Sequence, residues 1–169
     1  MAAKNISEST VRLIEKHIKS NIGAALADVR TERSDPTVTT EPPKDYFIYE
    51  RAHAYKTPAV FTILSDVDFR KGRGPNAIMA LCRVNVSVVV EDKDRESLTK
   101  KSWRYQDALL EVLDQAQLLS QDKDIKLVVV VQRLSFSPVY TMDSNAQSAT
   151  NTFRKEVVLE CDVEHYEQP

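Results

Sequence analysis

Residues 77–91 read AIMALCRVNVSVVVE and carry the strongest strand signal in the chain. Apolar side chains occupy every second position from Ala80 to Val90, whereas Arg83, Asn85 and Ser87 stand at positions between them. Successive side chains of a strand point to opposite faces of a sheet. The alternation therefore predicts a long strand with one apolar face.

Four other stretches have the composition of strands. They span residues 46–51, 59–68, 125–134 and 153–163. The last one places acidic side chains opposite its apolar ones, and these are Glu156, Glu160, Asp162 and Glu164. Long consecutive strands favour antiparallel pairing, and the last two strands are expected to meet as a hairpin across a long loop.

Two amphipathic helices are predicted, one over residues 7–29 and one over residues 95–119. In both segments apolar residues recur at spacings of three and four, which places them on one stripe of a helix. Candidate caps precede each helix, namely Asn5, Ser7 or Ser9 for the first and Asp94 for the second.

The predicted connectors are polar. Residues 30–45 contain three prolines, and residues 69–76 are basic and turn-rich. The segment 136–152 is unusually long for a loop inside a compact domain, and such loops are often functional or mobile.

These elements predict an α+β fold in which two helices pack on a mostly antiparallel sheet of four to five strands. At 169 residues the chain fits a single domain, 1–169. Residues 125–131 are apolar at both parities, so this strand requires cover on both faces. Either the helices straddle the sheet, or both lie on one face and a partner covers the other. We expect that partner to be a second copy of this chain.

The bulk composition argues against several classes of protein. The chain has 23 basic and 25 acidic residues, a balance unlike that of proteins built mainly to bind phosphate backbones. No apolar run approaches the roughly 18 residues of a membrane span, and the first ten residues lack a secretory apolar region. Two cysteines make no disulfide framework. The expected environment is the cytosol.

The sequence contains no recognised catalytic or metal-binding motif. His17, His53 and His165 lack the spacing of metal ligands, and they are expected at the surface or its boundary. Cys82 and Cys161 share the parity of core residues on their strands, which predicts buried, unreactive thiols. We therefore expect a protein without a cofactor, a metal or an enzymatic activity.

Three groups of residues are candidates for contact with partners. Aromatic residues are enriched at interfaces, and together with the apolar strand they define a candidate subunit or tube interface: Tyr46, Phe47, Tyr49, Tyr55, Val128, Val130 and Tyr140. A basic stretch, Arg70, Lys71 and Arg73, is a candidate loop contact for phosphates or for acidic residues of a neighbour. The acidic residues of strand 153–163 form either a solvated sheet face or a negative surface along which DNA slides.

Short motifs recur in order along nearly the whole chain. An aromatic strand with Phe47, Tyr49 and Glu50, directly after Tyr46, precedes a strand that begins with Pro58, Ala59 and Val60 after Tyr55. A V-x-V-x-V strand at residues 84–88 follows, and then a helix with Tyr105, Asp107, Ala108 and Leu109. In this order the motifs resemble the tail terminator, or tail completion, proteins of long-tailed bacteriophages. Residues 136–152 have no counterpart in the shared pattern.

The resemblance implies a structural virion protein. Such proteins form a ring, commonly a homohexamer, at the head-proximal end of the tail tube, where the ring stops tube polymerisation and joins the tail to the head–neck connector. The implied partners are copies of the chain, the major tail tube protein and the connector or stopper protein, with DNA only in transit through the lumen. The implied location is the tail–neck junction of the virion, after synthesis in the host cytoplasm. The acidic strand would then face the lumen.

Three other interpretations stay open. The nearest is another neck component, such as a connector adaptor or a stopper. The second is a nucleic-acid-binding module that uses Phe69 and the basic stretch. The third is a small enzyme in which Asp66 and Asp68 hold a metal.

Overall fold

The computed structural model describes residues 5–49, 55–71, 77–121, 124–141 and 152–167, which form two helices and seven strands. Helix α1 spans Ile6–Arg33 and helix α2 spans Arg95–Leu113. The strands are β1 Asp45–Phe47, β2 Ala59–Lys71, β3 Ile78–Asp92, β4 Gln117–Leu119, β5 Ile125–Phe136, β6 Tyr140–Thr141 and β7 Phe153–Glu167.

One sheet contains all seven strands, in the order β1-β2-β3-β7-β5-β4, with β6 pairing to β7. The central strands β3 and β7 pair antiparallel along their whole lengths, and β2 and β5 flank them, also antiparallel. β1 runs parallel to β2. The α+β class and the antiparallel pairing of the last two long strands are confirmed. The predicted count of four to five strands is wrong, because the short strand β4 was assigned to a helix and β6 to a loop, and the sheet is mixed.

Both helices pack on the same face of the sheet, which we call the inner face. Their buried stripes meet alternate residues of the long strands and form one hydrophobic core. The inner-face residues that are fully buried include Val84, Val86, Val88, Leu127, Val129, Val157, Leu159 and Val163. The helices therefore do not straddle the sheet, and no described helix covers the opposite side, the outer face. Within the described ranges, neither helix has the length and apolarity needed to cross a membrane.

Helix α1 begins with a reciprocal cap of the kind predicted for Asn5. The Asn5 side chain accepts a hydrogen bond from the Glu8 amide at 3.2 Å and donates one to the Glu8 carboxylate at 3.2 Å. The helix ends at Arg33 rather than at residue 29. Arg30 and Arg33 suit the last turn because cations stabilise the carboxyl end of a helix.

Helix α2 begins at the predicted cap, where the Asp94 carboxylate accepts from the Ser97 amide at 2.7 Å. It ends at Leu113, six residues before the predicted end at 119. Residues 117–119 instead form the edge strand β4, in which Leu118 is buried and Leu119 is 57% exposed. The spacing of apolar residues fits a helix here as well, so the pattern alone did not separate the two structures.

The connector between α1 and β1 is shorter than the predicted 30–45, and α2 holds it in place. It comprises residues 34–44. Arg104, only 3% exposed, donates hydrogen bonds to two connector carbonyls, and the Tyr105 hydroxyl donates to a third, that of Glu41. Buried carbonyl groups require partners, and these two adjacent side chains supply them.

The two strands that flank the centre of the sheet each contain a β-bulge at the same level. Ser65 is the extra residue in β2, and Gln132 is the extra residue in β5. Each bulge lies next to the row in which Val84 is paired with Cys161. Because a bulge bends its strand and increases the local twist, the sheet curls at this level on both sides.

Candidate interaction surfaces

The outer face of the sheet carries the acidic row that the sequence predicts for the last strand. Glu156, Glu160, Asp162 and Glu164 alternate along β7 with buried apolar residues, and all four are half-buried. Because β7 is a central strand, the acidic row runs through the middle of a face that no described helix covers. The predicted alternation of this strand is confirmed.

Basic side chains from neighbouring strands lie beside the acidic row. Arg133 Nη1 is 4.0 Å from Glu160 Oε1, and Arg83 Nη1 is 3.8 Å from Asp66 Oδ2. The register also places Arg83 directly opposite Asp162. Both arginine side chains are well exposed, so these contacts are screened by water and weak. The outer face is a mixed-charge surface, not a uniformly negative one.

Val128 and Val130 lie on this same outer face. The register sets Val128 opposite Glu164 and Val130 opposite Asp162, and both valines are half-buried. The sequence assigned the valines to a subunit or tube interface and the acidic residues to a lumen. A face packed against protein cannot line an open channel at the same level, so these two assignments exclude one another.

A second candidate surface is the aromatic cluster, formed by Phe47, Tyr49, Tyr55 and Phe61 at the β1 side of the outer face. The Phe47 ring stacks on Phe61 with centroids 5.1 Å apart and meets Tyr49 edge-on at 5.4 Å. Tyr55 meets Phe61 edge-on at 5.2 Å, and the Arg154 guanidinium lies 5.3 Å from the Tyr55 centroid. Phe61 is buried, whereas Tyr49 is 57% exposed. The cluster thus combines an anchored base with an exposed ring, as contact residues commonly do.

Two tyrosines that the sequence grouped with this cluster lie elsewhere. Tyr46 points to the inner face, where Lys19 Nζ is 5.5 Å from its ring centroid, and burial raises the pKa of its hydroxyl. Tyr140 lies in β6, opposite Arg154 of β7. Tyr46 therefore contributes to the packing of α1 on the sheet, and not to the outer surface.

The basic stretch begins within a strand and not in a loop. β2 continues through Lys71, so Phe69 and Arg70 point to opposite faces of the sheet. Phe69 is 68% exposed. Arg73 lies outside the described residues, as does the side chain of Lys71. A ring that stacks a base and a cation that contacts the adjacent phosphate need to act from the same side, and Phe69 and Arg70 do not.

The remaining candidates for chemistry are dispersed. Asp66 and Asp68 are exposed on the outer face of β2, and the described part of the chain has no group of three or more potential metal ligands. Cys82 and Cys161 are buried free thiols. Burial raises the pKa of both, that of Cys161 to about 12, and this matches the predicted core role.

His165 contradicts the prediction that the three histidines lie at the surface or its boundary. It is completely buried on the inner face, with Nδ1 2.9 Å from Thr10 Oγ1, and that hydroxyl is 3.8 Å from Cys82 Sγ. Burial lowers the pKa of His165 to about 4, so the ring is neutral at pH 7. His17 is half-buried, and His53 lies outside the described residues. The predicted strand stopped at residue 163, four residues before the end of β7, and its alternation, if extended, would have placed His165 in the core.

No protein family matches this chain, and no curated protein sequence matches it. Among the solved structures that it matches is a chain of the virion of a native gene transfer agent particle, with 13% sequence identity and a TM-score of 0.41. The similarity covers 87% of this chain and 97% of that chain. Similarity at this level decides neither fold nor function.

Proposed function

We propose that this chain is a non-catalytic structural protein of a phage-type virion, and specifically a tail terminator. It forms a ring on the head-proximal end of the tail tube, stops tube polymerisation and joins the tail to the head–neck connector. The observation that carries the proposal is the one-sided construction of the sheet. Both helices cover the inner face, and the outer face presents ordered charged residues that no described element covers.

In the proposed ring the helices lie on the outside, and the middle of the outer face, where β7 carries the acidic row, lines the lumen. The aromatic cluster lies at the β1 margin of that face, away from the central strand. The acidic row on β7 of each copy then lies at the channel wall, where it repels the phosphates of passing DNA. The nearby cations, Arg83 and Arg133, pair with carboxylates of the same face and limit their net charge. This arrangement favours the lumen assignment of the acidic row over the interface assignment of Val128 and Val130.

The aromatic cluster is the proposed contact with the tube or with a neighbouring copy. Its exposed ring, Tyr49, stands on a base of Phe47 and Phe61 that the sheet holds in place. Tyrosine combines a large apolar contact area with a hydroxyl group that tolerates water, which suits an interface rim. The motif that carries the family resemblance and this exposed cluster therefore coincide.

Assembly of tails without this chain tests the proposal. Cells that produce the particle without it should accumulate overlong, headless tubes, and the purified chain should bind one end of purified tubes in electron micrographs. Mass photometry at several concentrations should show a ring or a monomer that forms rings on tube ends. A strict monomer that also fails to cap tubes contradicts the proposal. Binding to the portal or connector, but not to tubes, would identify a stopper or adaptor instead.

A further inference from the structure

The sheet has two open edges, one on each side. β1 pairs only with residues 59–61 of β2, and β4 pairs only with residues 126–128 of β5. Beyond these short strands, no described strand pairs with the outer edge of β2 from Ile63 to Arg70 or with that of β5 from Val130 to Phe136. Open edges attract other strands, and proteins usually protect them unless pairing is intended.

The two open edges run in opposite directions. β2, β3, β7 and β5 are joined by three antiparallel steps, so β5 is antiparallel to β2. When one copy is rotated about an axis roughly along the strands, its β2 edge meets the β5 edge of the previous copy in an antiparallel arrangement. A head-to-tail contact of this kind generates a closed ring or an open filament.

The side chains of the two edges match on both faces of the sheet. On the inner face, the open part of β5 carries Val131, Leu134 and Phe136, and the open part of β2 carries Leu64, Val67 and Phe69. Most of these are half-buried at the margins of the core, and Phe69 is 68% exposed. Pairing of the edges would join the two apolar rows into one.

On the outer face the match is one of charge. Arg133 points outward from β5, and Asp66 and Asp68 point outward from β2. The contacts that Arg133 and Asp66 make within one copy are long, 4.0 Å and 3.8 Å, and exposed. The Val67 amide now donates to the adjacent Asp66 carboxylate at 2.9 Å, and a strand carbonyl would replace that bond.

We propose that the open edge of β5 in one copy pairs antiparallel with the open edge of β2 in the next, with Leu134 opposite Val67 and Arg133 opposite Asp68. The bulge residues Ser65 and Gln132 stay unpaired in this register. Inner-face residues therefore lie opposite inner-face residues on both sides of the Leu134–Val67 pair. This inference rests on the proposed ring and names the contact that closes it.

The geometry of this pairing agrees with ring closure. Within one copy Leu134 lies at the level of Thr62, through the pairs with Leu159 and Val86. Pairing Leu134 with Val67 therefore shifts the next copy by four sheet positions, because one of the five chain positions is a bulge; this is about 13 Å. Four strand spacings span about 19 Å. The strands would tilt by about 35°, which is within the range of closed barrels for any number of copies.

Cross-linking tests the register. The double variant Asp68→Cys with Arg133→Cys should give a ladder of covalent oligomers with a short thiol-specific cross-linker, and each single variant should give none. The control is the double variant Phe69→Cys with Arg133→Cys. Residue 69 points to the opposite face of the sheet, so this pair should cross-link poorly. Cys82 and Cys161 are buried and do not compete under native conditions.

Charge reversal gives an independent readout. Asp68→Arg and Arg133→Asp should each raise the concentration for half-assembly by about tenfold, and the two together should restore it. The edge contact would be overturned if rings of normal mass form, the double cysteine variant cross-links no more than the single variants, and the double charge reversal does not restore assembly. That result would leave the proposed function standing. No assembly of the unmodified chain, either alone or on tail tubes, would overturn both.

Discussion

His165 is a titratable residue in the least solvated part of the molecule. Its ring lies between α1 and the sheet, where its Nδ1 has a partner in the Thr10 hydroxyl. Nε2 has no hydrogen-bond partner among the described residues. A buried neutral imidazole is stable only while it stays unprotonated, because a charged ring there would lack both water and a counter-ion.

We expect this residue to make the protein sensitive to mild acid. The folded pKa is about 4 and the unfolded pKa is about 6.5. Above pH 6.5 both states are neutral, so the residue contributes no pH dependence. Between pH 6.5 and 4 the unfolded state binds more protons, and the free energy of unfolding should fall by a total of about 3 kcal/mol.

Urea unfolding of the wild type and of His165→Gln at pH 7 and pH 4 measures this effect. Gln can keep the hydrogen bond to Thr10 but does not titrate, so the variant should lose less stability than the wild type over this interval. Other groups titrate equally in both proteins and cancel. Equal losses would show that His165 is not held neutral by burial.

At the scale of elements, the connector 34–44 is held in place by α2. Arg104 reaches this segment with hydrogen bonds to the carbonyl oxygens of Val38 and Asp35, and its guanidinium is almost completely buried. Arg33 makes a comparable contact with Asp107, but that pair is largely exposed. The two arginines therefore provide a matched comparison of a buried and an exposed interaction.

Replacement of Arg104 by Met should lower the free energy of unfolding by about 3 kcal/mol, because the connector carbonyls lose charged donors in a buried site. The variant should also be cleaved faster by a protease within 34–44. Arg33→Met should cost less than about 1 kcal/mol, as exposed ion pairs do. Similar costs for the two variants, measured by urea denaturation, would contradict the proposed role of Arg104.

At the scale of the whole molecule, the orientation of the sheet decides which surface meets a partner. If the outer face lines a lumen, a single lysine there stays in water and assembly continues. If the outer face packs against another copy, a lysine at its centre introduces an unpaired buried charge. Val128 lies on this face but outside the proposed edge contact, because β4 already pairs there. Val128→Lys should therefore leave the mass of the assembly unchanged in mass photometry, and loss of assembly would reassign this face to an interface.

Local patterns predicted most of the long elements. The alternation in 77–91 and 153–163 and the helical spacing in 7–29 are properties of single segments, and β3, β7 and α1 form where these patterns occur. A local hydrophobic period does not predict the parallel pairing of β1 with β2, because that pairing depends on the direction of the chain after the connector between them. The burial of Arg104 also depends on which segment crosses α2.

The interaction surfaces were harder to predict, because strand parity gives the face of a residue but not its neighbours. Parity placed the acidic row correctly on one side of β7. It did not show that Arg83 and Arg133 would approach that row, since both come from other strands. The pairing order also brought Val128 and Val130 to the same face as the acidic residues.

The two buried thiols provide a natural reporter of opening motions. Cys82 of β3 and Cys161 of β7 point from the central strands into the core beneath the helices, so a labelling reagent can reach them only when the helices separate from the sheet. Labelling kinetics in native buffer would thus measure the free energy of opening the layer between the helices and the sheet, whereas amide exchange at the margins reports smaller openings. If the chain forms the proposed ring, the thiols should label more slowly in the assembly than in the free chain, because neighbouring copies then hold both edges of the sheet.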